Sequence, residues 1–255
     1  MRILVTNDDG YDAPGLLALK KALARVGEVL VVAPEHNFSA SGHVKTMHKP
    51  LRINPVYLSD GSPAYTTSGA PSDCVALVLL GALDFAPQVV VSGINPNNNL
   101  GHDVTYSGTV TAAMEGAIGG VPSIAVSAAT AEVYQYAAEF AGRLAVQVVQ
   151  AALPADVVLN VNVPSPPVLG ARVTRMGKRV YRDRLIVRHD PRGRPYYWIG
   201  GEQPSGIPDE GTDIWAIQNG YISVTPIQLD LTAHDRLPSL RAWDLSLFQD
   251  SVSTA

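Results

Sequence analysis

The chain has 255 residues, 46% of them hydrophobic and 16% charged, enough for one domain with a substantial core or for a core with an appended lobe. A formal net charge of −4 offers no broad basic footprint for a nucleic-acid polymer, so a small anionic ligand would need a local positive centre. The single cysteine, Cys74, excludes an intrachain disulfide framework and a cysteine-rich zinc site, and no run of about 18 apolar residues suggests a membrane span.

The first element is a strand, Ile3 to Thr6, whose unbroken apolar run suits burial on both faces. It opens the chain without the extended apolar stretch of a signal peptide, which predicts a cytoplasmic protein. Gly15 to Val26 repeats apolar residues at helical spacing, and Glu28 to Ala33 is a second strand closed by Pro34. Glu35 to Pro50, rich in Ser, Gly and His, reads as a long loop. A helix is expected over Pro71 to Leu83, a third strand over Gln88 to Ser92 and a long Asn- and Gly-rich loop over Gly93 to Ser107. Gly108 to Ile118 is a small-residue helix, Ser123 to Ser127 a fourth strand, Ala131 to Ala152 a long helix and Val157 to Val163 a fifth strand.

This alternation predicts an α/β fold, a Rossmann-like, mostly parallel sheet with helices on both faces, in residues 1–165. Residues 166–255 read as a β-rich extension of the same domain, used in oligomerisation. It contains a hairpin turning at His189 to Arg194, a strand at Tyr221 to Val224 and a closing helix at Arg236 to Phe248. In such sheets ligands gather outside the carboxyl ends of the strands, which here lead into NDDG, APEHNFSASG and SGINPNNNLG.

The first of these places Asp8 and Asp9 side by side. Two adjacent carboxylates repel and raise each other's pKa unless a cation neutralises them. A divalent ion would convert the pair into a hard oxygen site suited to Mg²⁺, Mn²⁺ or Ca²⁺, with Mg²⁺ or Mn²⁺ the expected cofactor. Read alone, either Asp serves equally as a cap for the helix that follows. Asn95, after the third strand, and Ser39, after the second, add an amide oxygen and a hydroxyl, so three strand ends supply oxygen ligands. Tyr106-Ser107-Gly108-Thr109 opens a helix whose unpaired first-turn N–H groups and dipole favour a phosphate.

Several segments together resemble the SurE family of 5′(3′)-nucleotidases. They are TNDDG at 6–10, APEHNFSASG at 33–42, SGAPSDCVAL at 68–77, SGINPNNNLGHDVTYSGTVTAAMEG at 92–116, LNVNVP at 159–164 and GYISVTPIQLDLT at 220–232. The resemblance implies a Rossmann-like core and C-terminal segments exchanged between subunits of a homodimer or homotetramer. It also implies hydrolysis of nucleoside monophosphates by a 5′-nucleotidase, with a side activity on short polyphosphate. Carried over by position, the metal ligands fall on Asp8, Asp9, Ser39 and Asn95, and the phosphate-contacting residues on Asn99, Ser107, Gly108 and Thr109. The chain departs from the family pattern at Asn97 and Ala40, where glycine is usual, and at Ala70, where a threonine is usual.

The expected chemistry is that of a metal-dependent phosphomonoester hydrolase. One divalent ion per subunit would activate water, and Asp8 or, preferably, Asp9 would take its proton. Two rivals use the same residues: a phosphotransferase forming an aspartyl-phosphate, for which the usual DxD spacing is absent, and a nucleotide- or Mg²⁺-sensing module that binds without turnover. Of the loop histidines 36, 43, 48 and 102, His43 is the candidate for a leaving-group or phosphate contact, while Asp103 reads as a brace for its loop. Tyr196, Tyr197 and Trp198 suit either base stacking or, by their place in the extension, an oligomer interface.

Overall fold

The computed structural model describes residues 1–202 and 204–243. Its centre is a nine-stranded sheet built outward from β1 (Arg2–Thr6). On one side β1 pairs in parallel with β2 (Glu28–Pro34), and then come β4 (Pro63–Thr67) and the antiparallel edge strand β3 (Ile53–Tyr57). On the other side β5 (Val89–Asn95), β6 (Ser123–Ala128) and β7 (Val157–Val163) continue the parallel run.

Side chains of β1 alternate between two cores, as a doubly covered strand requires. Ile3 and Val5 face α1 (Pro14–Leu23) and α4 (Tyr134–Gln150), while Leu4 faces α2 (Pro71–Leu79) and α3 (Gly108–Ile118). The α1–α4 contact is built from Leu16, Leu19 and Leu23 set against the alanines 137, 138, 141 and 145, small residues that let the helices lie close. Cys74 sits in the second core on α2, where burial raises its thiol pKa far above the ordinary value.

Several expectations are refined. The helix from Pro71 stops at Leu79, four residues early, because Gly81 adopts φ +87° and turns the chain. The third strand continues through Gly93 to Asn95, which still pairs with β6, so Asn95 stands on the strand end and not in a loop. The β3–β4 hairpin was not expected. Pro55 and Pro63 obscure it, yet both lie where the sheet tolerates proline, on the edge strand and at a strand's first residue.

The segment after 165 is joined to the sheet. The strand Tyr221–Gln228 pairs antiparallel with β7, and Gly170–Val173 pairs in parallel beyond it; these are β13 and β8. Between them lie β9 (Lys178–Val180), paired with β12 (Ser205–Ile207), and a two-stranded hairpin of β10 (Asp183–His189) and β11 (Pro195–Gly201). The six-residue helix α5 (Asp213–Gln218) precedes β13. Only Leu237–Arg241 of the predicted closing helix is seen as α6, and the part from 244 to Phe248 lies outside the described residues.

Candidate active site

Leaving β1, the chain is next to β2 on one side and β5 on the other, and it reaches these neighbours by connections running in opposite directions. That reversal opens a crevice at the carboxyl end of the sheet between β1 and β5. An open cleft of about 240 Å³ lies there, lined by Asp8, Ser39, Asn95, Asn99, Asp103 and Ser107, with Tyr106 at its rim. Five residues singled out from sequence thus meet in one hollow, although they span a hundred positions of chain.

Asp8 is 3% exposed and seated against the start of α3. Thr109 Oγ1 donates to its Oδ1, and the backbone N–H groups of Gly108 and Thr109 bear on the same carboxylate. A Cβ on Gly108 would lie 2.7 Å from Asp8 Cβ, so glycine is required there for the carboxylate to reach the helix end. Burial raises the Asp8 pKa, and these donors oppose it without overcoming it. Asp9 is half-buried and points into the adjoining hollow with Asp12 and Tyr134. Burial, and then the charge of Asp8, push its pKa up to about 6.

Ser39 is brought to Asp8 by backbone. Phe38 N donates to Asp8 O at 2.7 Å, and Ser39 N donates to Asn37 Oδ1 at 2.7 Å. Ala40 takes φ +58°, the left-handed region in which the family's usual glycine rests without strain. Asn97 is not in that region, so its departure from glycine carries no backbone strain of this kind. At Asn95 the amide nitrogen donates to Asn97 O, leaving Oδ1 with no protein partner among the described residues.

Asn99 is fixed from beneath. Its N–H donates to Asn162 Oδ1 at 2.7 Å and its Nδ2 to Ser127 Oγ at 2.8 Å, while its carbonyl accepts from Asn160 Nδ2 at 2.9 Å and Asn162 Nδ2 at 3.1 Å. Asn160, Asn162 and Ser127 were not singled out from sequence. The signal was present: two asparagines alternating with valines in a fully buried strand need partners, and these have found the loop above. Ser107 caps α3, its Oγ accepting from Val110 N at 3.1 Å.

His43 is not brought to the cleft. Its Nε2 lies 3.0 Å from Glu115 Oε2, and Lys45 Nζ lies 3.0 Å from the other oxygen of that carboxylate. With Thr46 bonded to Asp73 and Ser72 Oγ donating to Val44 O, these contacts strap the Glu35–Pro50 loop to α2 and α3. Gly108 and Thr109 are buried behind Asp8, so of the helix-start residues only Ser107 lines the cleft.

The donor set fits a hard divalent cation. Two carboxylates stand adjacent with raised pKa values, an amide oxygen and a hydroxyl flank Asp8, and no lysine or arginine among the described residues lines the cleft. Among the described residues there is no cluster of three His, Cys, Asp or Glu that could hold a metal ion. No helix among the described residues is long and apolar enough to cross a membrane.

Sheet, switch point and carboxylate cleft define a Rossmann-like α/β protein of the kind that handles small anionic ligands. The family described as survival protein SurE matches residues 3–183. A 5′-nucleotidase SurE of Chloroflexus aggregans is 54% identical over 251 residues, covering 96% of this chain and 99% of its own. One from Geobacter sulfurreducens is 49% identical over 252 residues, covering 96% and 95%. The crystal structure of the SurE protein from Aquifex aeolicus is similar with a TM-score of 0.79 at 42% identity, covering 94% of this chain and 98% of that one. The chain belongs to the SurE family.

Proposed function

We propose that this protein is a metal-dependent 5′-nucleotidase that removes phosphate from nucleoside 5′-monophosphates, with 3′-monophosphates and short polyphosphate as further substrates. The observation that carries the reading is the meeting of Asp8 with Ser39, Asn95 and the start of α3 around one cleft, with Asp9 beside it facing the adjoining hollow. The names of relatives about half identical over nearly the whole chain support it.

Asp8, Asp9, Ser39 and Asn95 would hold one divalent ion, Mg²⁺ or Mn²⁺, which when bound supplies Lewis-acid polarisation and a lowered pKa for water. Asp8 is the ligand fixed in place, since Thr109 and the α3 backbone orient it. Asp9 has no such donors and a pKa pushed up to about 6, which suits a carboxylate that accepts a proton from attacking water near neutral pH. Asn99 and Ser107, which line the cleft, receive the phosphate, whose growing charge is favoured by the positive end of α3, while Gly108 and Thr109 serve from behind by holding Asp8. His43 acts on the far side of α3 as part of the strap, and a direct phosphate contact is not assigned to it.

Residues 166–255 are proposed to act as the assembly arm of a homodimer or homotetramer added to the catalytic core of residues 1–165. Leu185, Tyr197, Trp198 and Ile199 on the β10–β11 hairpin are 59–83% exposed, a concentration of apolar surface that suits a partner subunit. Sedimentation of a variant with polar residues at 185 and 198 tests this, and an unchanged mass would exclude the hairpin.

The decisive experiment measures phosphate release from a panel of nucleoside monophosphates with Mg²⁺, Mn²⁺ or Co²⁺ and with a chelator. Turnover abolished by the chelator and restored by the metal is expected. Nucleotide binding without release of phosphate would overturn the reading in favour of a sensor.

A further inference from the structure

The loop from 96 to 107 forms much of the cleft wall, and a distant part of the chain grips it at two points. The first grip is Asp213, which is 0% exposed. Its Oδ2 accepts from Gly101 N at 2.7 Å, and its Oδ1 from Gly177 N at 2.7 Å and Ile214 N at 2.8 Å. Among the described residues no lysine, arginine or histidine pairs with it, so backbone N–H groups alone meet this buried carboxylate. The backbones it joins touch: Gly101 takes φ +51°, and a Cβ there would lie 2.4 Å from Gly177 O.

The second grip is on Asp103, which lines the cleft. Arg179 Nε lies 2.7 Å from its Oδ2, with both side chains about five-sixths buried, and Tyr181 OH donates to its Oδ1 at 2.6 Å. Burial and this bond push the Tyr181 hydroxyl up to about 12, so it remains a donor across the working pH range. The gripping segment is itself anchored. Asp213 N donates to Arg175 O at 2.9 Å, and the Thr174 and Thr225 hydroxyls bond at 2.7 Å, tying it to β13 of the main sheet.

We propose that Asp213, Arg179 and Tyr181 are positioning residues: from outside the cleft they fix the loop presenting Asn99 and Ser107, and Arg179 cancels the charge of Asp103 beside the phosphate. The proposal rests on the phosphatase reading for its kinetic consequence, but the grip itself is independent of it. A carboxylate in the wall of a phosphate-binding cleft repels the substrate unless a cation is held against it. The cleft lining contains no such cation, and the C-terminal segment provides one.

The test compares Asp213→Asn, Arg179→Met and Tyr181→Phe with Ile222→Val, a buried core change in β13 that leaves both the grip and its anchor intact. In Asp213→Asn, exchange of the Gly101 amide should accelerate about tenfold or more while β1 amides are unchanged. KM for a nucleoside monophosphate and the inhibition constant of inorganic phosphate should rise together by about tenfold, with a smaller change in kcat of the folded enzyme. Arg179→Met should also raise KM, and adding Asp103→Asn should bring it back toward wild type. Ile222→Val should lower the melting temperature without moving KM. The proposal is overturned if folded Asp213→Asn keeps Gly101 exchange and phosphate inhibition within about twofold of wild type. Should Asp213→Asn not fold, unchanged KM and exchange in both Arg179→Met and Tyr181→Phe overturn it instead. A wild-type protein that releases no phosphate would sink the phosphatase reading alone, leaving the exchange comparison to decide the grip.

Discussion

Two long polar loops meet over the carboxylate pair, and they are held in different ways. The loop after β2, which carries Ser39, is strapped nearest Ser39 by side chains that reach water: His43 and Lys45, 32% and 52% exposed, close on Glu115. The buried Ser72 and Asp73 hold only its farther part, at Val44 and Thr46. The loop after β5, which carries Asn99 and Ser107, is held by buried groups acting on its backbone: Asn160, Asn162 and Asp213. Screening and side-chain entropy weaken the first kind of contact, whereas the second kind loses little to either. On the proposed reading the Asn99–Ser107 side of the cleft is the more firmly held, and the Ser39 side is the part that a bound ion would have most to order.

The strongest test of that contrast removes what both loops converge on. Asp9→Asn should lower kcat by about 10²–10⁴-fold, the range for loss of a proton acceptor, with the melting temperature unchanged or raised. Asp8→Asn should be at least as damaging. Measured activity close to wild type in either variant would remove the pair from the centre of the site. One step down in size, Glu115→Gln releases the Ser39 strap and should weaken Mn²⁺ activation by about tenfold while leaving inhibition by phosphate nearly unchanged. If phosphate inhibition weakens equally, the two loops are not independent.

Acidity separates the sides further. Asp8 and Asp9 have folded-state pKa values raised above the ordinary 3.8, so in metal-free protein they favour the fold below about pH 4 and lose that contribution as pH rises, for Asp9 through about 6. Melting in chelator should therefore show a component of stability that falls over this window, and Asp9→Asn should flatten it. Divalent ion should restore stability on the high-pH side, because protons compete with the cation below about 6. The smallest effect concerns backbone strain in the weaker loop. Ala40→Gly should stabilise the protein by about 1 kcal/mol in a denaturation experiment, because alanine occupies a left-handed conformation there. No gain would mean that the loop relaxes the strain by moving.

The parts legible in sequence were those in which one local pattern carries the structural cause. NDDG and SGIN follow apolar runs, so strand ends and their oxygen donors could be read together, and the doubly wound arrangement brought them to one edge. The pairing of His43 was not legible, because a loop histidine says nothing of its partner, and Glu115 is 72 positions away. The hold on Asp103 was half legible: a brace was expected, but Arg179 and Tyr181 belong to a segment whose path depends on β8 and β13 joining the sheet. Asp213 follows Thr212 at a helix start and reads as an ordinary first-turn acid. Nothing near it in sequence tells that Gly101 completes its surroundings.

Cys74 has a practical consequence. The residue is 1% exposed, and burial keeps the thiol protonated, so it will not compete for a reagent that attacks thiolates. A cysteine introduced at Tyr197 would then be the chain's single reactive handle. Spin or fluorescent labels placed there would test the proposed assembly, by reporting whether hairpins of two copies come near each other, without first rebuilding the native sequence.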